Sequence, residues 1–353
     1  MPLMRLIRRK RAPGRRANVA GVSASHPAPA APRRRFDVCN GDADGLCAVR
    51  QWRLHEPAAA TLVTGLKREI ALLQRVPADR ADEVLVCDVS MARNRAALLA
   101  LLARGVRVRW FDHHAAGEVP ADPALEAHLD FGAEVCSSLL VDRHLGGRYR
   151  AWALAGAYGD DMTAVADRLA ADSGFDTRQR AALQRLGRAI NYNAYGEEPT
   201  DVCLHPADLY AVMARHDDPF ALLAHEPVID EIDLQREADL RQAQDLAPSW
   251  QSERARVVVL PDAPWSRRVS GVLANALATD RPGQAQAVLR SRRSGDYQVS
   301  VRAPRDAPHG AAALCAAFGG NGRTGAAGID ALPAAELERF IQAFAAARWE
   351  NAP

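Results

Sequence analysis

Three apolar runs in the first third of the chain each stop on acidic residues. "FDVC" leads into "NGDADG" with Asp42 and Asp44, "EVLVC" stops at Asp88, and "VRVRWF" runs into Asp112-His113-His114. Short continuous apolar runs read as strands buried on both faces, as in a parallel sheet. Helical patterns separate them: "LCAVRQWRLHE" follows the first, and "NRAALLALLARG" follows the second, closing on Gly105. The expected fold class is therefore α/β, a parallel sheet with helices on both faces. In such sheets ligands bind beyond the carboxyl ends of the strands. The three acidic stops would then meet on one rim. Carboxylates gathered there repel one another and raise each other's pKa, so something must offset them.

A fourth acidic stretch, "GAYGDD" with Asp160 and Asp161, closes a further helical run. Taken singly, each piece is ordinary: an Asp-x-Asp in a glycine-containing loop makes a turn, an Asp after a strand caps a helix, and paired histidines face solvent. Together they call for a divalent cation. Carboxylates with an imidazole suit manganese or magnesium better than thiolate-seeking zinc, with cobalt as a further candidate. Several carboxylates also let one bridge two ions about 3.5–4 Å apart, the arrangement used for in-line phosphoryl displacement.

Downstream, residues 166–250 are mostly helical and polar and read as a connector between a 36–165 domain and a smaller α/β unit over 251–353. That unit shows strands at "RVVVLP", "AQAVLRS" and "YQVSVRA", helices at "RRVSGVLANALA" and "GAAALCAAFG", then glycine-rich "GGNGRTGAAGID" and a last helix from about Pro333. A short helix is also expected at "REIALLQRV". The six cysteines show no C-x-x-C spacing and read as small buried hydrophobes of a reducing, cytoplasmic setting. No apolar run is long enough to span a membrane.

Charge is unevenly spread. Residues 1–35 hold ten Lys/Arg and no acid, and the remainder holds 35 basic against 43 acidic residues, a balance of −8. The basic segment cannot build a core and is expected to be disordered. The acidic remainder argues against a long basic track for polymeric nucleic acid.

The ordered set "DADG", "VCDVS", Asp112-His113-His114 and "GAYGD" resembles the DHH phosphoesterase superfamily. "SVRA" and "GNGRTGAAG" resemble its DHH-associated C-terminal domain, so the likeness covers about residues 36–332. The resemblance implies a metal-dependent phosphodiesterase or phosphatase using two manganese ions. The substrate would be small and nucleotide-like: a short oligonucleotide, a cyclic dinucleotide or a nucleoside bisphosphate. The alternatives are a RecJ-like single-strand exonuclease, acting on long nucleic acid, or a degenerate non-hydrolytic nucleotide-binding protein. A homodimer is compatible with either. By motif position, Asp88 would bridge both ions, Asp42 would hold the first, and Asp44, His113 and Asp160 the second. His114 would face the phosphoryl group, Asp112 would orient a histidine, and Arg302 with Gly320, Asn321, Gly322 and Arg323 would grip the substrate.

The chain departs from that pattern in two places. Val38 stands where many members carry a ligating histidine, and Asn40 is a weaker, neutral ligand for the first ion. Arg323 replaces the histidine of the glycine-rich motif; it clamps phosphate but cannot serve as a neutral base. Other candidates rank lower. Lys67 reads as a solvated helix start before it reads as a phosphate contact, and Ser137 and Ser138 as polar packing before an anion site. His216, Asp217 and Asp218 read as loop capping. Tyr192 and Tyr195 are candidates for base stacking. His128, His144, His205 and His309 read as surface or packing residues.

Overall fold

The structure, a computed structural model, describes residues 33–349. Its first sheet contains β1 (Arg35–Cys39), β2 (Thr61–Val63), β3 (Glu83–Cys87), β4 (Arg107–Asp112) and β5 (Leu125–Leu129). All neighbours are parallel, in the order β2-β1-β3-β4-β5. Successive residues serve opposite faces. Val38, Val86 and Trp110 pack into one apolar layer, and Cys39, Cys87 and Phe111 into the other. This double burial is why these strands are apolar without alternation.

Helix α1 (Ala43–His55) follows β1 and α2 (Met91–Leu102) follows β3. β1 lies between β2 and β3, so the chain turns outward in opposite senses from β1 and from β3. The crevice between those two connections is the usual ligand position of open α/β sheets. Helices α3 (Ser137–His144) and α4 (Arg150–Gly159) cover α1.

A helical stretch follows: α5 (Thr163–Asp172), α6 (Thr177–Ala194), α7 (Pro206–Met213), α8 (Pro219–His225) and α9 (Pro227–Gln244). The second sheet has the order β10-β11-β9-β8-β7-β6, built from β6 (Trp250–Gln251), β7 (Ala255–Leu260), β8 (Ala285–Ser291), β9 (Asp296–Arg302), β10 (Asn321–Gly322) and β11 (Ala326–Pro333). Only the β7–β8 pair is parallel. Helices α10 (Pro264–Asp280), α11 (Ala311–Ala316) and α12 (Leu337–Ala346) accompany it. One apolar cluster runs from Leu46 and Phe111 through α4 and α6 to Val258, Val269 and Leu273, so the two sheets share a core.

Three expectations change. "REIALLQRV" forms only a single 3-10 turn, Leu73–Arg75; Leu72, Leu73 and Val76 are buried without a helix, and Pro77 stops one from propagating. β5 and β11 were not expected. The first is a half-exposed edge strand, and the second hides in small residues. Residues 1–32 of the expected basic tail lie outside the described residues, but its last three join the fold. Arg35 is in β1, Arg33 pairs with Glu83 and Arg34 with Asp82. All six cysteines are free, and all but Cys203 are buried. Among the described residues no helix is long and apolar enough to cross a membrane.

Candidate metal centre

The loop after β1 places two aspartates with different duties. Asp42 is the N-cap of α1, where its Oδ1 accepts from the Gly45 N–H at 3.1 Å. That leaves Oδ2 facing the rim. Asp44 lies in the first turn, and its oxygens accept the N–H groups of Ser137 and Ser138, each at 2.7 Å. Ser137 and Ser138 thus present the α3 N-terminus to Asp44, an internal anion, rather than to a free one.

Asp88 follows β3 in a left-handed conformation, φ +56°. Its N–H still donates to the Phe111 carbonyl, and the next residue, Val89, accepts from the Trp110 indole. The strained residue is therefore clamped from β4. The Ser90 hydroxyl bonds the Ala115 carbonyl, tying the loops after β3 and β4 together. At the end of β4, Asp112 is fully buried, and its Oδ1 lies 2.8 Å from His114 Nδ1. That bond, more than any other interaction, raises the His114 pKa above its ordinary value, favouring the imidazolium.

Asp160 caps the C-terminus of α4, a helix end whose dipole favours a cation. Donor atoms of Asp44, His113 and Asp160 all lie within 4.8 Å of one another. His113 Nε2 is 3.4 Å from Asp88, 3.9 Å from Asp160 and 4.0 Å from Asp44. Burial, then the charges of Asp42 and Asp44, push the Asp88 carboxyl well above the usual carboxylate range. Burial and Asp44 raise Asp160 to about 6. Three carboxylates and an imidazole, crowded and short of positive charge, fit one hard divalent ion such as manganese or magnesium.

Lys67 completes the charge balance and was not expected here. It follows β2, and its ammonium pairs with Asp42 Oδ2, 3.9 Å from Asp160. Burial alone would raise the Asp42 carboxyl, but the charge and hydrogen bond of Lys67 hold it below the ordinary value. Burial likewise opposes the ammonium, and Asp42 overrides it, holding Lys67 well above its usual pKa. One signal marked the residue: Lys67 is the only lysine after Lys10 in a chain otherwise using arginine.

Asn40 turns its side chain to the backbone, donating to the Lys67 carbonyl at 3.2 Å and accepting from the Asp42 N–H at 3.3 Å. Val38 is buried in the apolar layer. A cavity of about 130 Å³ lies among Asn40, Asp42, Lys67, Asp88, His114 and Asp160. Lys67 and Asp160 also line a second cavity of about 380 Å³, which reaches Arg188, Tyr195, Arg236, Arg302 and Arg305. Across it, Arg302 Nε bonds Asn275 Oδ1 at 2.7 Å, and Asn275 bonds Asp161 at 3.0 Å.

Tyr195 lines this cleft, whereas Tyr192 is buried against Asp239. Gly320, Asn321, Gly322 and Arg323 do not line it. They form the turn into the β10–β11 hairpin, and Arg323 is exposed. The hairpin itself requires two of the glycines: a Cβ on Gly320 would sit 2.2 Å from the Gly328 oxygen, and Gly322 has φ +147°. Asp218 caps α8, Asp217 pairs with Arg50, and His216 contacts Glu226. His128 stacks on Phe111, and His144 packs beside both. His205 caps α7.

No family model and no curated protein matches the chain. Solved structures do. A manganese-bound exonuclease RecJ superposes with TM-score 0.59 at 20% identity, covering 88% of this chain and 89% of that one. The chain has a RecJ-like fold. A second solved structure, RecJ with Mn²⁺ from Thermus thermophilus, gives 0.58 at 18% identity over 88% of this chain and 51% of its own. A pGpG-specific phosphodiesterase, PggH from Vibrio cholerae, gives 0.55 at 14% identity, covering 88% and 97%.

The RecJ-like fold takes in both sheets together. The raised Asp160 carboxyl makes a pH prediction. Its folded pKa, about 6, exceeds the unfolded value near 4, so its stabilising contribution is complete below about 4 and is lost as pH climbs through about 6. In chelator, thermal melts of wild type and Asp160→Asn should diverge in the variant's favour between about pH 4 and 6 and stay apart above that. With Mn²⁺ the wild type should gain stability across the same window, as the ion displaces the proton.

Proposed function

We propose that the chain is a metal-dependent phosphodiesterase or phosphatase acting on a small nucleotide-like substrate. The observation that carries this reading is the meeting of Asp44, Asp88, His113 and Asp160 at the crevice of the parallel sheet, opening into an arginine-lined cavity. Its volume, about 380 Å³, falls in the range of small-ligand sites. The Asp161–Asn275–Arg302 bridge spans the cleft and favours a short substrate over a long strand.

A bound divalent ion would supply Lewis-acid polarisation of the phosphoryl oxygens and an activated water nucleophile. Asp44, Asp88, His113 and Asp160 would hold it. The chain's own groups do the rest. His114, whose imidazolium form Asp112 favours, stands beside Asp88 at 3.6 Å, where its ring would donate to a phosphoryl oxygen. Asp112 fixes the ring so that Nε2 points away from it. Arg302 meets a second phosphate or the far end of the substrate, where a guanidinium binds bidentately. Tyr195 offers a face for a base.

The test is release of mononucleotide or phosphate from short oligonucleotides, cyclic dinucleotides and adenosine bisphosphate with manganese present. No turnover of any of them by protein with metal bound sinks the reading. Processive shortening of a long labelled strand, with strong salt dependence of binding, would instead favour an exonuclease of the RecJ kind. On the preferred substrate, Arg302→Ala should raise KM about 10–100-fold and leave kcat nearly unchanged. That is the loss of a charge-assisted hydrogen bond worth about 1.5–3 kcal/mol.

A further inference from the structure

We propose that Lys67 is a resident cation taking the place of the first of the two metal ions, so that the site works with one divalent ion and one ammonium. The inference rests on the metal-dependent reading above and narrows it.

The donors left for a first ion are poor. Val38 has no ligand atom and faces the core. The Asn40 side chain is engaged on both its nitrogen and its oxygen by backbone groups. Asp42 spends Oδ1 on the helix cap and has Oδ2 to offer. The Lys67 ammonium already holds that oxygen. An ion ligating Oδ2 would lie about 2.0–2.2 Å from it. An ammonium in hydrogen-bond contact with the same oxygen leaves no room for that ion on the same side.

Lys67 is also built into place. Its N–H donates to the Ala194 carbonyl at 3.0 Å, and its own carbonyl accepts from Asn40. Gly41 lets the loop after β1 close directly on the loop that carries it: a Cβ there would sit 2.0 Å from the Gly65 oxygen. The Tyr195 ring lies 5.6 Å from the ammonium. The residue type fits the role. An ammonium is a compact, strongly hydrated point charge, whereas a guanidinium is a planar fork that cannot take an ion's place among crossing carboxylates. Of the 45 Lys/Arg in the chain, 43 are arginine, and one of the two lysines stands here.

Metal counting tests this without reference to turnover. Full-length protein stripped with chelator and re-equilibrated with Mn²⁺ is expected to hold one ion per chain by elemental analysis, with the resonance of an isolated, uncoupled Mn²⁺. Lys67→Met combined with Asn40→Asp should move the count from one to two and produce a spin-coupled pair. Two coupled ions in the wild type overturn the inference and leave the metal-dependent reading standing. No bound ion overturns both. A folded double variant that still holds a single ion overturns the claim that Lys67 excludes the second.

Discussion

Replacing Asp88 with asparagine is expected to abolish turnover and, at the same time, make the metal-free protein more heat-stable. The two effects share one cause. The Asp88 carboxylate is buried beside Asp42 and Asp44, which push its pKa well up. A carboxylate in that place works against the fold, and a neutral amide of the same shape removes the cost. Asparagine also tolerates the left-handed backbone at φ +56°, which alanine would strain. A rise in melting temperature of at least about 2 °C in chelator is expected. Loss of the carboxylate nearest the His113 ring removes charge that the ion needs, and turnover should fall by at least about 1,000-fold, roughly 4 kcal/mol of barrier. Mn²⁺ should raise the melting temperature of the wild type more than that of the variant. An Asp88→Asn protein as active as wild type would remove Asp88 from the site.

Asp44→Ala should behave in the opposite way on stability. This carboxylate is equally buried, but its oxygens hold the first two N–H groups of α3. Truncation leaves two buried donors without partners and strips the helix of its internal anion, a loss of about 2–4 kcal/mol. The melting temperature should drop by roughly 4–8 °C with or without metal, and turnover should be lost as well. Asp44→Asn should fall between, since an amide oxygen serves one N–H while its NH₂ opposes the other. The pair of variants separates a carboxylate that burdens the fold from one that supports it, though the two sit in one site. Equal melting temperatures for the two would contradict that division.

The site was legible where chemistry repeats. Acids stopping three apolar runs, with a fourth pair after a helix, point to one rim whatever their individual roles as caps. Asp42 and Asp160 are in fact caps as well. The parallel sheet was legible for the same reason, because double burial writes itself as unbroken apolar strands. β5 was not, because an edge strand with exposed residues lacks that run. β11 was not, because alanines and glycines suit a hairpin as well as a phosphate loop. Lys67 was misjudged because a lone cation after a strand has no pattern. Only folding brings residue 67 onto residues 42 and 160. The glycine-rich segment reads two ways: as a local motif it suggests contact with substrate, and in the fold its glycines Gly320 and Gly322 also answer to close packing against β11.

Scarcity of lysine gives the site a chemical handle. Amine-acylating reagents have few targets in this chain: the terminal amine, Lys10 and Lys67. A single peptide mass therefore reports on the rim. Acylation needs the free amine, so Asp42 shields Lys67 for as long as their ion pair holds, and labelling marks the molecules in which it has opened. The extent of modification against time, read with and without Mn²⁺ or a phosphate analogue, becomes a clock for how often that corner of the fold breathes.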